Sequence, residues 1–181
     1  MKVEQTDFEG VVIFTPETHG DSRGFFREVF RQDVFERAVG HVDFVQENES
    51  LSRGGVVRGL HWQTAPFTQA KLVSVTEGRV LDVAVDLRSG SRTFGRYFSI
   101  VLDGGSGRSV FIPRGFAHGF AVLSDRALFR YKVDAPYAPE YERSCAWNSA
   151  ALGIDWGVDA DERIISAKDS VAPEWDPSMV I

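Results

Sequence analysis

Short apolar runs, each closed by a turn residue, recur along the whole of this 181-residue chain, and they leave room for little besides β structure. "GVVIFTP" (10–16) is β-branched and ends on a proline, and "FVQENES" (44–50) follows a polar turn. "AKLVSVTEGRVLDVAVDLRSGS" (70–91) reads as two strands joined at Glu77–Gly78. "RYFSIVLDGG" (96–105), "SVFIPRG" (109–115), "GFAVLSD" (119–125) and "ALFRYKVDAP" (127–136) continue the series, each bounded by Gly, Pro, Asp or Ser. Helical periodicity is clear only in "RQDVFERAVG" (31–40), where Val34, Phe35, Ala38 and Val39 share a face and Gly40 ends the run. The tail, from "ALGIDW" to "DPSMVI", consists of short apolar pieces between acidic and proline-containing loops, and is expected to wrap irregularly on the main body.

Many short strands with turns at close intervals imply a sandwich or barrel. The expected fold is mainly β: a cupin-type double-sheet jelly-roll barrel with a few short helices. The length fits a single domain, residues 1–181, that includes the irregular C-terminal tail. Such barrels hold ligands inside, because side chains alternate between inward and outward faces.

Charge narrows the class of partner. A net charge of -6 and a pI near 5.2 argue against nucleic acid, whose binding needs a basic face, although a local basic pocket for a phosphorylated small molecule remains open. No apolar run is long enough to span a bilayer, so no membrane partner is expected. The start, "MKVEQTDFEG", lacks the apolar stretch of a secretory signal, and Cys145 is the single cysteine, which excludes an intrachain disulfide. A cytoplasmic protein is the expectation.

"GGVVRGLHWQ" (54–63) poses the functional question. Burying Arg58 and His61 in a strand costs free energy unless both are paired. In a regular strand they have opposite parity, so serving one pocket requires a bend or bulge between them, for which Gly59 is well placed. Taken singly, His61 is equally a core or rim histidine, and Arg58 a surface cation with a packed stem. "RGFAHGF" (114–120) sets His118 between small and aromatic residues. A cupin metal site needs an H-x-H pair, but the position two after His61 is Gln63, so no protein-bound metal is expected. Tyr131, Tyr137 and Tyr141 read individually as amphipathic packing residues, Asp169 as a loop carboxylate, Lys71 as a snorkelling lysine and Cys145 as a core thiol.

Together and in this order, the segments resemble the dTDP-4-dehydrorhamnose 3,5-epimerase (RmlC-type) family. The resemblance runs through "GDSRGFFREVF", "FVQENESLS", "GVVRGLHWQ", "AKLVSV", "GRVLDVAVDLRSGSRTFGRY", "IPRGFAHGFAVLS", "YKVDAPYAPEYE", "GIDW" and "SAKDSVAP", nearly the whole chain. It implies a dTDP-linked 4-keto-6-deoxyhexose as substrate, whose ketone acidifies the protons on C3 and C5, so that neither metal nor organic cofactor is required. By this resemblance His61 is the base; free imidazole titrates near ~6.5, close to working pH. Asp169 is its carboxylate partner, Tyr131 the acid on the opposite face, and Lys71 the cation near the enolate oxygen. Arg58 matches the arginine that holds the diphosphate. Arg23, Phe26 and Glu28 match a nucleotide-binding set that reaches a neighbouring subunit's pocket, which implies a homodimer. Gln46, Asn48, His118 and Tyr137 match positions lining the sugar and nucleotide site. Trp62 and Ser149 depart from the phenylalanine and aspartate frequent in the family. A mono-epimerase acting at C3 or C5 alone, a non-catalytic nucleotide-sugar-binding cupin and a metal-dependent cupin oxygenase are the rival readings.

Overall fold

Strand-forming runs dominate the computed structural model, which describes residues 1–181. In chain order they are β1 (Lys2–Gln5), β2 (Val12–Thr15), β3 (Thr18–Asp21) and β4 (Gly24–Arg27), followed by helix α1 (Gln32–Val39). Next come β5 (Gln46–Arg53), β6 (Val56–Gln63), β7 (Lys71–Glu77), β8 (Arg79–Asp86) and β9 (Tyr97–Asp103). β10 (Ser109–Ile112), β11 (Phe116–Val122), β12 (Arg126–Val133) and β13 (Glu142–Ser144) complete the main body, and the tail adds β14 (Ile164–Ile165) and helix α2 (Ala167–Ser170).

Two sheets face each other. One has the order β1-β2-β10-β7-β12-β5; the other runs β13-β6-β11-β8-β9, with β14 joined in parallel to β6. This is the double-sheet arrangement expected from the strand pattern. β7 and β8 follow one another directly yet lie in different sheets, and the chain crosses at Gly78 with φ 75°. A Cβ there would sit 1.9 Å from the Arg126 carbonyl oxygen, so only glycine fits this corner.

Three apolar clusters follow from strand alternation. Val73, Val75, Val80, Ala84, Val110, Phe120 and Phe129 fill the space between the sheets. Phe120 and Phe129 stack there at 4.3 Å between ring centroids. The opposite parity of the second sheet, with Val57, Leu60, Val83, Val85, Ala117 and Ala121, is covered by Trp156 and Leu152. Helix α1 covers the first sheet by setting Phe35 against Val12, Phe14, Leu72 and Phe111. β11 is buried along its entire length because both its faces are covered.

Two regions carry order that local periodicity does not register. The polar stretch 18–27 folds into a β3–β4 hairpin, in which Phe25 and Phe26 remain 62% and 70% exposed. The tail is more ordered than its composition implies: β14 pairs with β6, Ala146 donates its N–H to the Pro173 carbonyl, and Ile181 donates to Leu87. Those bonds are long-range, and local periodicity does not register them.

Candidate active site

The inner face of the barrel collects the ionisable residues. Lys71 shares the parity of Val73 and Val75 on β7, and Tyr131 that of Ala127 and Phe129 on β12. His118 lies between Phe116 and Phe120 on β11, all three on the inner parity. On β6 the alternation breaks. Val56 faces the inner core while Val57, Leu60 and Trp62 face outward, so Arg58 and His61 both point inward although three positions separate them. The pairing with β11 shows how: His118 stands opposite His61 and Phe120 opposite Arg58, one residue fewer than on β6. The extra residue is a bulge centred on Gly59, with φ 122°. Gly59 passes Gly119 so closely that a Cβ on it would lie 2.7 Å from the Gly119 Cα. The bend foreseen at Gly59 is what places both side chains in one cavity.

That cavity measures about 550 Å³. His61, Lys71, Tyr131 and Asp169 line it together with Arg58, Asn48, His118 and Tyr137. Asp169 arrives from α2, where Ser166 caps the short helix by accepting the Asp169 N–H. The parallel pairing of β14 with β6 carries that helix to the strand holding His61. Nε2 of His61 and Oδ1 of Asp169 are 2.6 Å apart. With Asp169 only 4% exposed, Nε2 carries the proton it donates, and Nδ1 is left as an acceptor. Burial pushes the Asp169 carboxyl up, but hydrogen bonds from His61, Ser166 and the Gly59 N–H outweigh it and hold the group below the usual carboxylate range.

Burial pushes the Tyr131 phenol up, against the pull of the Arg58 charge and the Asn48 side chain, so it keeps its proton at neutral pH. Asn48 is its cross-strand partner on β5. Burial also pushes the Lys71 ammonium down to about 8, opposed by Asp82 and Glu142. Arg58 donates Nε–H to Ser52 Oγ at 3.1 Å, which leaves the outer edge of its guanidinium fork for an anion. At the rim, Tyr137 donates its hydroxyl to Glu142 at 2.9 Å, and Lys168 pairs with the same carboxylate.

The remaining candidates stand apart. Gln46 lies outside the cavity wall, where its amide donates to Asn48 Oδ1 and its carbonyl accepts from the Tyr137 N–H. Arg23 and Phe26 project on the β3–β4 hairpin, where Arg23 is held by Asp21, and Glu28 follows it in an exposed loop. None of these three lines the cavity of its own chain. Trp62 packs in the outer cluster of the second sheet and also borders the cavity, so the departure from phenylalanine reaches the pocket wall. Sequence reading missed Lys168 and Glu142, both on the cavity wall, and Asp82 behind it. Lys168 adjoins Asp169 in "SAKD" and was legible by adjacency; Asp82 has no local signal. No group of three or more His, Cys, Asp and Glu side chains converges as a metal centre.

Comparison with known proteins gives one consistent result. The family model described as dTDP-4-dehydrorhamnose 3,5-epimerase matches residues 5–176. The chain is 49% identical over 170 residues to the dTDP-4-dehydrorhamnose 3,5-epimerase of Pseudomonas aeruginosa, covering 93% of each. It superposes with TM-score 0.91 and 43% identity on the Legionella pneumophila RmlC, solved with dTDP-4-keto-L-rhamnose, covering 99% of this chain and 96% of that one. ChmJ, a 3'-monoepimerase from Streptomyces bikiniensis solved with dTDP-quinovose, matches at 34% identity and TM-score 0.86 over 93% of this chain and 85% of that one. The architecture is thus the cupin-type jelly roll anticipated from the strand pattern.

Proposed function

The chain belongs to the dTDP-4-dehydrorhamnose 3,5-epimerase family, and we propose that its barrel cavity performs that reaction through His61, Asp169, Tyr131 and Lys71. The protein is an isomerase acting on a dTDP-linked 4-keto-6-deoxyhexose. The observation that carries the assignment of residues is the 2.6 Å contact between His61 and Asp169 in a cavity also lined by Tyr131 and Lys71.

The chemistry follows from those positions. Nδ1 of His61 removes a proton from the carbon next to the ketone, and the C–H electron pair moves into an enolate whose oxygen faces Lys71. Asp169 stabilises the imidazolium that forms, without taking the proton itself. The Tyr131 hydroxyl then protonates the same carbon from the opposite face, which inverts it. His61 leaves the step protonated and Tyr131 deprotonated, and proton exchange through solvent resets both for the second carbon. A positioned acid or base of this kind is worth roughly 10²–10⁴ in rate. The substrate's own carbonyl is the electron sink, so the step is written without a metal or an organic cofactor. Arg58 grips the diphosphate with its planar fork, and Asn48, His118 and Tyr137 contact the sugar and the nucleotide.

Arg23, Phe26 and Glu28 serve the pocket of a second copy in a homodimer. The exposed aromatic hairpin and its absence from the cavity wall of its own chain support this reading. Because the tail supplies Asp169, residues 1–181 act as one domain. The unpaired thiol of Cys145 fits a cytoplasmic setting. The greater identity to the 3,5-epimerases than to ChmJ favours inversion at two carbons over one.

Incubation with dTDP-4-dehydro-6-deoxy-glucose in D₂O, with a downstream ketoreductase to trap the ketone, tests the reading by NMR. Deuterium and inversion at both C3 and C5 are expected. Exchange at one carbon alone would make the protein a mono-epimerase, and none at either would reduce it to a binder.

A further inference from the structure

Asp82 is a buried carboxylate that the reaction above leaves without a task. It stands on β8 with 0% exposure and has the inward parity of Val80 and Ala84. An ionised carboxylate in such surroundings is costly unless it is paired and hydrogen-bonded. Its Oδ2 accepts from Nε2 of His118 at 2.8 Å, while Oδ1 has no hydrogen-bond partner within the chain. His118 is in turn the cross-strand neighbour of His61. The barrel therefore holds two imidazoles side by side, each with Nε2 on a carboxylate.

The two pairs differ in surroundings. His61 is partly exposed to the cavity, whereas His118 is buried, and that burial favours the neutral ring despite Asp82. With Nε2–H donated to Asp82, Nδ1 of a neutral His118 can only accept a hydrogen bond. Lys71 reaches inward from the opposite sheet into the same space. The groups facing it are His118 on β11, His61 on β6, Tyr131 on β12, Glu142 on β13 and Asp82 on β8. The imidazoles and the phenol carry no negative charge. Glu142 is already engaged by Tyr137 and Lys168. Asp82 is the anion with an uncommitted oxygen.

We propose that Asp82 is a positioning residue of this site. Its Oδ2 fixes His118 with Nδ1 presented to a sugar hydroxyl, and its Oδ1 supplies the countercharge that keeps Lys71 an ammonium ion facing the 4-keto oxygen. The catalytic half of this statement rests on the epimerase reading; the electrostatic half does not. Without the carboxylate, burial acts on Lys71 with less opposition, and a neutral amine cannot stabilise an enolate oxyanion.

Asp82→Asn keeps the shape of the side chain and an oxygen for His118 while removing the charge. The chain has four lysines (2, 71, 132 and 168), so ¹³Cε-lysine NMR resolves the titration of Lys71, assigned as the signal lost in Lys71→Met. The wild-type midpoint is expected at about 8. In Asp82→Asn it should fall by roughly one pH unit, and the alkaline limb of kcat/KM should move down with it. At pH 9 the variant then loses about tenfold in kcat/KM relative to wild type. An unmoved Lys71 midpoint would overturn the proposal, as would an equal loss of kcat/KM at every pH, which is what a packing role alone would give. The NMR midpoint needs no turnover, so failure of the epimerase reading in wild type is read separately. If Asp82→Asn does not fold, the double variant Asp82→Asn with Lys71→Met removes both buried charges and should fold. A double variant that also stays unfolded would count against the pairing.

Discussion

A histidine becomes a base when something on its far side decides which nitrogen carries the proton. For His61, the proposed base, that group is Asp169, 108 positions later in the chain. Tyr131 has the complementary character, since burial keeps its phenol protonated and so able to give a proton. The division of labour has a specific consequence for Tyr131→Phe. Sugar protons should still wash out in D₂O through His61, but inversion should fall by roughly 10²–10⁴, the usual worth of a positioned acid. Equal loss of exchange and inversion, followed by NMR, would remove Tyr131 from the role of acid. At this scale the sequence was legible only through the order of its motifs. Lys71, Tyr131 and Asp169 each have an ordinary packing or surface explanation when read singly, because what distinguishes them is convergence on one cavity.

β6 and the tail carry the decisive elements. The bulge at Gly59 was readable beforehand, because Arg58 and His61 could share a pocket only if the strand broke its alternation between them. Gly59→Ala tests how much the site depends on it. The new methyl would meet Gly119 Cα at 2.7 Å and the His118 carbonyl oxygen at 2.9 Å, on a backbone with φ 122°. Strain of this kind costs roughly 1–3 kcal/mol. Thermal melting should show that loss, and kcat should drop well beyond it because Arg58 and His61 move relative to each other. A variant with wild-type kcat would mean that the bulge is incidental to catalysis. The tail was less legible. Its order comes from pairing with β6 and from contacts of its apolar side chains with the second sheet, none of which leaves a local pattern in "SAKDSVAP". The β3–β4 hairpin escaped for a different reason: its exposed phenylalanines have no core in their own chain to set an alternation.

For the molecule as a whole, that hairpin is the feature that does not fit an isolated chain. Two adjacent exposed aromatic rings next to a charged Arg23 are the surface on which the proposed homodimer is tested. Light scattering coupled to gel filtration should give twice the 20.2 kDa chain mass. Phe25→Ser with Phe26→Ser should shift the species toward monomer and raise KM for the nucleotide sugar, with the fold retained by circular dichroism. A wild-type protein that elutes only as monomer would leave Arg23, Phe26 and Glu28 without a pocket to serve.

Alternation, periodicity and turn chemistry act within a few residues, so the double-sheet architecture, the single clear helix and the need for a bend at Gly59 are written locally in the chain. Its motif order also carried the family, and with it the catalytic set proposed above. The Asp169–His61 contact was expected only through the family resemblance, whereas Asp82 with His118 behind Lys71, and Glu142 with Lys168 at the rim, emerge from the folded chain. Hydrogen bonds and charge pairs form between residues brought together by sheet pairing at large sequence separation. Nothing in the local residue pattern records which inward-facing side chains will end within 3 Å of one another.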